Sequence, residues 1–257
     1  ARGRQFVDTL LALVEFVPRG IEFVPCLLEF RREPLDGGKR HAVGVDRVDV
    51  LVTRPHVEGV VKIPGHRPDM SRARTVAVVV GGTSGIGEAI ALGFATEGAD
   101  VVATSRSADK TAATTEAIRE LGAKTIEQTC DVTDRGSITT LRDAVLDEFG
   151  HVDVLVNSQG VISRQAVLDI DEESWDHVHD ILLDGVYRSV QTFARKMDTG
   201  SIINIASLAS HLAIPNAPAY TSAKAGVNGF TRAASKELAP DIRVNAIEPG
   251  FVITALN

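Results

Sequence analysis

The sequence predicts a doubly wound, parallel α/β domain over residues 70–257, and three observations carry that expectation. Short runs rich in Val, Ile and Thr recur at 75–80, 100–104, 124–129, 152–156, 200–205 and 241–246. Segments with helical spacing of apolar residues lie between them, at 86–97, 108–121, 134–149, 172–196 and 218–238. With 44% hydrophobic and 24% charged residues among 257, the chain has the apolar side chains for one sizeable core. Strand and helix in alternation require right-handed crossovers, which cover both faces of a parallel sheet with helices.

Residues 1–69 read differently. Pro18, Pro25, Pro34, Pro55, Pro64 and Pro68 interrupt any regular element there, and the echo of Glu15-Phe-Val-Pro in Glu22-Phe-Val-Pro is no coiled-coil heptad because of its prolines. Alternating residues between Val43 and Val61 are compatible with a hairpin. The segment is expected to be an extension of unknown role outside the main domain. The apolar stretch Phe6 to Phe30 is broken by Asp8, Glu15, Pro18, Arg19, Glu22 and Pro25, too often to span a bilayer or serve as a signal core.

The formal charge of −7 is uneven: 11 Lys+Arg face 10 Asp+Glu in the first 69 residues, and 16 face 24 in the remainder. An acidic main domain repels phosphate backbones and anionic lipid, which argues against nucleic acid or membrane as a partner. Cys26 and Cys130 lack the spacing of a zinc site or disulfide framework, and a cytoplasmic location is expected.

In order along the domain, the first strand runs straight into Gly81-Gly-Thr-Ser-Gly85-Ile-Gly87, followed by a helix. Such glycines let the backbone turn tightly and approach a pyrophosphate, while the helix start offers free amides and a positive dipole end. The second strand ends in Ser105-Arg106, the third in Cys130-Asp131-Val132, and the fourth in Asn157-Ser158-Gln159-Gly160. Asp131 is equally suited to cap the helix that follows. The fifth delivers Ala206-Ser207 at its carboxyl end, where open parallel sheets bind ligands. Thirteen residues later comes Tyr220-Thr-Ser-Ala-Lys224, whose four-residue spacing places phenol and ammonium on one helix face. The last strand leaves through Pro249-Gly250, a sharp exit.

Taken together, the Gly-x-x-x-Gly-x-Gly turn, Ser207 and the Tyr220/Lys224 pair resemble the short-chain dehydrogenase/reductase family, in its broad group of 3-oxoacyl-acyl-carrier-protein reductases and polyol dehydrogenases. The resemblance implies a Rossmann-type fold and a nicotinamide-dependent exchange between a small carbonyl and its alcohol. It implies Ser207, Tyr220 and Lys224 as the catalytic set. It implies a cofactor site made of Gly81, Thr83, Ser84, Gly85, Ile86, Gly87, Ser105, Arg106, Asp131, Val132, Asn157, Gly160, Tyr220, Lys224, Pro249, Gly250, Val252 and Thr254. No metal is expected. An acidic residue at position 106 would bind the ribose hydroxyls of NAD, whereas a guanidinium attracts a 2′-phosphate, so NADP(H) is favoured and NAD(H) stays open.

Departures from the family pattern are also legible. Val80 stands where a Thr steadies the glycine turn, Ser158 and Gln159 replace an Asn and an Ala, and Leu182 occupies the place of a proton-relay Asn, for which His179 or Asp184 are the nearby substitutes. Glu248 before Pro249 reads as a rim charge or a subunit contact. Members of the family continue past the position of Asn257 into a substrate loop, a helix and a seventh strand; if the chain ends there, the strand at 241–246 is expected at an open edge, with low stability and weak activity, and a homodimer or homotetramer is expected where that part is present. Binding of the cofactor without turnover is the alternative function. Ile162, Leu208, His211, Leu212 and Phe251 are expected to face a substrate that the sequence does not identify.

Overall fold

The computed structural model describes residues 26–29, 49–52, 74–250 and 252. In the first part of the chain, β1 (Cys26–Glu29) pairs antiparallel with β2 (Asp49–Val52), Cys26 opposite Val52. The hairpin expected between Val43 and Val61 otherwise lies outside the described residues.

The main domain is one parallel sheet of five strands: β3 (Val76–Val80), β4 (Asp100–Thr104), β5 (Val154–Asn157), β6 (Gly200–Ile205) and β7 (Ile242–Ile247). Their spatial order is β4-β3-β5-β6-β7, with every neighbouring pair parallel. The helices are α1 (Gly85–Thr96), α2 (Ala108–Glu120), α3 (Arg135–Phe149), α4 (Glu172–His179), α5 (Gly185–Ala194) and α6 (Pro218–Glu237). The chain leaves β3 outward to β4, then returns past β3 to β5, so the order reverses between β3 and β5. A crevice opens outside the carboxyl ends of the strands at such a point.

Strand residues alternate between two cores. Val76, Val78 and Val80 of β3, Leu155 of β5 and Ile202 of β6 pack with Ile138 and Leu141 of α3, Phe193 of α5 and Ala223 and Val227 of α6. On the opposite face Ala77, Val79, Val101, Val154, Val156 and Ile203 meet Ile90 and Phe94 of α1 and Ile118 of α2. Each fully buried Val, Leu or Ile contributes roughly 1.5–3 kcal/mol, and that term is what holds β-branched runs in a sheet buried on both sides. Helix ends follow side-chain chemistry: Asp134 accepts from the amides of Gly136 and Ser137 to start α3, Asp171 accepts from Ser174 N to start α4, and Gly150 closes α3 in the left-handed region at φ 79°.

Two elements depart from the sequence expectation. The segment 124–129 forms no strand. It runs beside β4 but is tied by isolated bonds, Lys124 O accepting from Val101 N at 3.0 Å, Gln128 O accepting from Thr104 Oγ1 at 2.6 Å, and Lys124 N donating to Asp100 Oδ1 at 2.9 Å. Side chains at the ends of β4 replace the backbone ladder, so a β-favouring sequence stays irregular. The helix expected over 172–196 is interrupted by a π-turn at Asp180–Asp184, where Gly185 N reaches back to Asp180 O. Leu182 lies inside that turn, fully buried in the core.

Candidate active site at the carboxyl ends of the strands

The glycine turn between β3 and α1 is pinned from β4: Gly81 N and Gly82 N both donate to Thr104 O, at 2.9 and 3.1 Å. These bonds hold a turn in which Val80 has no hydroxyl to offer. Gly81 sits at φ 74°, and a Cβ there would lie 2.6 Å from Gln159 N. A Cβ on Gly87 would lie 2.1 Å from Gly81 O, so no side chain fits where the turn folds onto the end of β5. Ser84 precedes α1 and makes no side-chain cap bond, leaving the first helical amides uncovered. Thr83 is buried, Ser84 exposed, and Gly85 and Ile86 half-buried.

Beyond the end of β4, Ser105 Oγ meets Thr111 Oγ1 at 3.4 Å and Arg106 is exposed. Partial burial of Asp131 would raise its pKa, but hydrogen bonds from Thr133 N (2.9 Å) and Thr133 Oγ1 (2.8 Å), with the positive charges of Arg106 and His177, outweigh it and leave the carboxyl below its usual range. Arg106 and Asp131, expected as cofactor residues from separate strand ends, are thus electrostatic neighbours. Asp134 takes the cap role that the sequence also allowed for Asp131. Val132 faces the core, and a Cβ on Gly185 would meet its Cγ2 at 2.8 Å.

Ser207 follows β6, is 9% exposed, and caps the 3₁₀ turn Leu208–Ser210 by accepting from Ala209 N at 3.1 Å. That turn packs on α6. Lys224, buried on α6, donates from Nζ to Ile205 O at 2.6 Å, two residues before Ser207. Its Nζ lies 5.9 Å from the centre of the Tyr220 ring. Burial lowers the Lys224 pKa from 10.5 to about 8. The three residues expected to do the chemistry therefore share one corner, between the end of β6 and the start of α6.

Behind that corner Asn157, expected at the cofactor, joins a chain of buried polar side chains whose other members, Asn204 and Thr231, the sequence reading did not single out. Asn157 Nδ2 donates to Asn204 Oδ1 at 2.9 Å, and Asn204 Nδ2 donates to Thr231 Oγ1 at 2.9 Å, joining β5, β6 and α6. Asn204, polar among Ile202, Ile203 and Ile205 of β6, was the available signal. Glu248 is neither a rim charge nor exposed for a partner: at 3% exposure it accepts from His211 Nε2 at 2.9 Å and from Asn228 Nδ2. Its neighbour Pro249 is buried and accepts from Leu208 N at 3.1 Å, tying the exit of β7 to the Ser207 turn.

Near Leu182, the side chains of His179 and Asp184 have partners of their own. His179 engages Ser222 Oγ at 3.0 Å and stacks on Trp175, while Asp184 faces Arg188 at 3.9 Å. Ile162 and Leu208 are half-buried, His211 and Leu212 exposed, Gly160 exposed and Gly250 and Val252 half-buried; Phe251 and Thr254 lie outside the described residues. No cluster of His, Cys, Asp and Glu suited to a metal occurs among the described residues, and no helix there is long and apolar enough to cross a membrane.

Known proteins share this fold and much of this sequence. The family model described as short chain dehydrogenase matches residues 75–257. A 2-dehydro-3-deoxy-D-gluconate 5-dehydrogenase of Escherichia coli is 38% identical over 184 residues, 70% of this chain and 72% of that protein. A crystal structure of an actinorhodin polyketide ketoreductase variant with NADPH superimposes with a TM-score of 0.68 at 37% identity, covering 71% of this chain and 72% of that one. An NAD+-bound xylitol dehydrogenase superimposes at 0.67 with 31% identity, covering 69% and 70%. The chain belongs to the short-chain dehydrogenase/reductase family of oxidoreductases.

Proposed function

We propose that the protein reduces a small ketone to its secondary alcohol with NADP(H), and that Ser207, Tyr220 and Lys224 carry the reaction. The supporting observation is the anchoring of Lys224 Nζ on Ile205 O at 2.6 Å, two residues before Ser207, with Tyr220 one helical turn before Lys224.

The residues fit a dinucleotide. A glycine turn with no room for a Cβ, the uncovered amides at the start of α1 and the crevice between β3 and β5 suit a pyrophosphate. Gly81 to Gly87 would hold it, Ser105, Arg106 and Asp131 the adenosine end, and Lys224, Pro249 and Gly250 the nicotinamide end. The bound cofactor supplies the hydride. The guanidinium of Arg106 can bond a 2′-phosphate through two donors, which favours NADP(H) over NAD(H).

Hydride arriving at a carbonyl carbon leaves charge on oxygen, and that oxygen needs a proton. Tyr220 donates it from its phenol, and the Lys224 ammonium stabilises the phenolate that remains. Ser207 donates a hydrogen bond to the same oxygen as charge develops. Alignment of these donors in a corner held from β6 and α6 is the protein's own contribution.

A second reading, cofactor binding without turnover, draws on Leu182, whose buried side chain moves no proton. Fluorescence titration with NADPH and NADH, followed by oxidation with a panel of ketones and a Tyr220→Phe control, separates the two. NADPH binding with Tyr220-dependent oxidation supports the reductase, binding alone supports the second reading, and no binding of either cofactor overturns both.

A further inference from the structure

Gln159 stands at the end of β5 with 8% exposure, and neither its Oε1 nor its Nε2 has a hydrogen-bond partner. A buried primary amide left unpaired at both ends costs the desolvation of one donor pair and one acceptor, a cost that native proteins rarely carry without a compensating role. Its backbone presses on the glycine turn: the Cβ that Gly81 lacks would fall 2.6 Å from Gln159 N and 2.7 Å from its Cα. The adjoining Ser158 donates from N to Val80 O at 2.8 Å, and its Oγ lies 3.1 Å from where a Gly87 Cβ would be. Gln159 is therefore enclosed at the point where the strand order reverses, beside the turn that suits a pyrophosphate.

We infer that the Gln159 amide is a direct hydrogen-bonding contact for a sugar hydroxyl of the bound dinucleotide. The inference rests on the cofactor reading above and adds a residue to it. A phosphate oxygen accepts only, so it would satisfy Nε2 and leave Oε1 unpaired. A ribose hydroxyl both donates and accepts, as the two ends of the amide require. The sugars also flank the pyrophosphate, next to the glycine turn that Gln159 touches.

The test uses the full chain with Gln159→Leu, close in volume but apolar, and Gln159→Ala, which covers the case in which the branched Leu does not fit. Two readouts are taken: the affinity for NADPH and NADH by nucleotide fluorescence, and the melting temperature without and with nucleotide. We expect both variants to weaken NADPH and NADH alike by about ten-fold, equivalent to about 1.4 kcal/mol. We expect Gln159→Leu to melt no lower than the parent without nucleotide, because the amide it removes has no protein partner, and to gain less from added NADPH. Unchanged affinity, or tighter binding because a bulky side chain was in the way, overturns the inference while leaving the cofactor reading intact. A lower melting point with unchanged affinity assigns the amide a structural role and overturns it equally. A parent chain that binds neither nucleotide overturns the cofactor reading itself, and this inference with it.

Discussion

The Lys224 ammonium donates a 2.6 Å hydrogen bond to the carbonyl oxygen of Ile205, the last residue of β6 before Ala206 and Ser207. One side chain thus joins α6 to the strand end that presents the serine. The bond is made in a buried place, and desolvation is the cause of the lowered Lys224 pKa. The corner keeps a cation at a cost to the fold.

That cost predicts a pH dependence. The folded pKa of about 8 lies below the ordinary 10.5, so the unfolded chain binds the proton more tightly. Between these values unfolding takes up a proton, and stability rises with pH; below pH 8 the penalty is fully present, and above 10.5 it is gone. The swing is about 3 kcal/mol at most. Urea denaturation from pH 7.5 to 10.5 should show a rise from this group that is missing in Lys224→Met, and the variant should be at least as stable as the parent at pH 7. A Met variant that is less stable at pH 7 and keeps the same pH slope would show that Lys224 does not carry the penalty.

Arg106 is exposed yet helps lower the pKa of Asp131, so its charge reaches that carboxylate. Under the NADP(H) reading, Arg106→Ala should weaken NADPH about ten-fold and leave NADH within two-fold, since hydrogen bonds to charge at an exposed site are worth a modest amount. Arg106→Asp should reverse the preference. Parallel titrations of both nucleotides check this, and equal losses for the two would remove Arg106 as the discriminating group.

Much of this was legible in the chain because strand and helix each follow a simple period. The runs beginning at Val76, Asp100 and Gly200 became strands, and the Tyr220-to-Lys224 spacing placed both residues at the Ser207 corner. Local pattern failed where tertiary bonds decide. Residues 124–129 are β-favouring but are tied to β4 through Asp100 and Thr104 side chains, which no periodicity announces. The π-turn around Leu182 widens a single turn, with Gly185 N reaching back five residues to Asp180 O, and no residue type in the segment marks it. Glu248 misled for a related reason: a carboxylate looks exposed until its partners, His211 and Asn228, are brought in from 37 and 20 residues away.

Gly87 tests the glycine turn most directly. A methyl there would lie 2.1 Å from Gly81 O, a backbone atom fixed in turn by the bond from Gly81 N to Thr104 O. Neither side yields without opening the turn, so Gly87→Ala should cost about 3 kcal/mol. Gly98→Ala makes a useful contrast: nothing lies within 4 Å of a Cβ there, and its cost comes only from φ 91°. Thermal melts should place Gly87→Ala lower, and NADPH should fail to bind it even where it is folded. Binding at parental affinity would show that the turn does not hold the nucleotide.

The amide chain from Asn157 through Asn204 to Thr231 sets how firmly the Ser207 corner is held from behind. Replacing Asn204 with Leu removes an acceptor for Asn157 and a donor to Thr231 at once, leaving both partners buried. Each stranded group costs about 1–3 kcal/mol, so a loss of about 3 kcal/mol is expected. Thr231→Val removes a single hydroxyl from the end of the chain and should cost about 1 kcal/mol. If the three groups act as a unit, the double variant should lose less than the sum of the two, because the second change removes a partner already abandoned. Denaturation of both singles and the double measures that coupling, and strict additivity would show that the network does not act as one clamp on β5, β6 and α6.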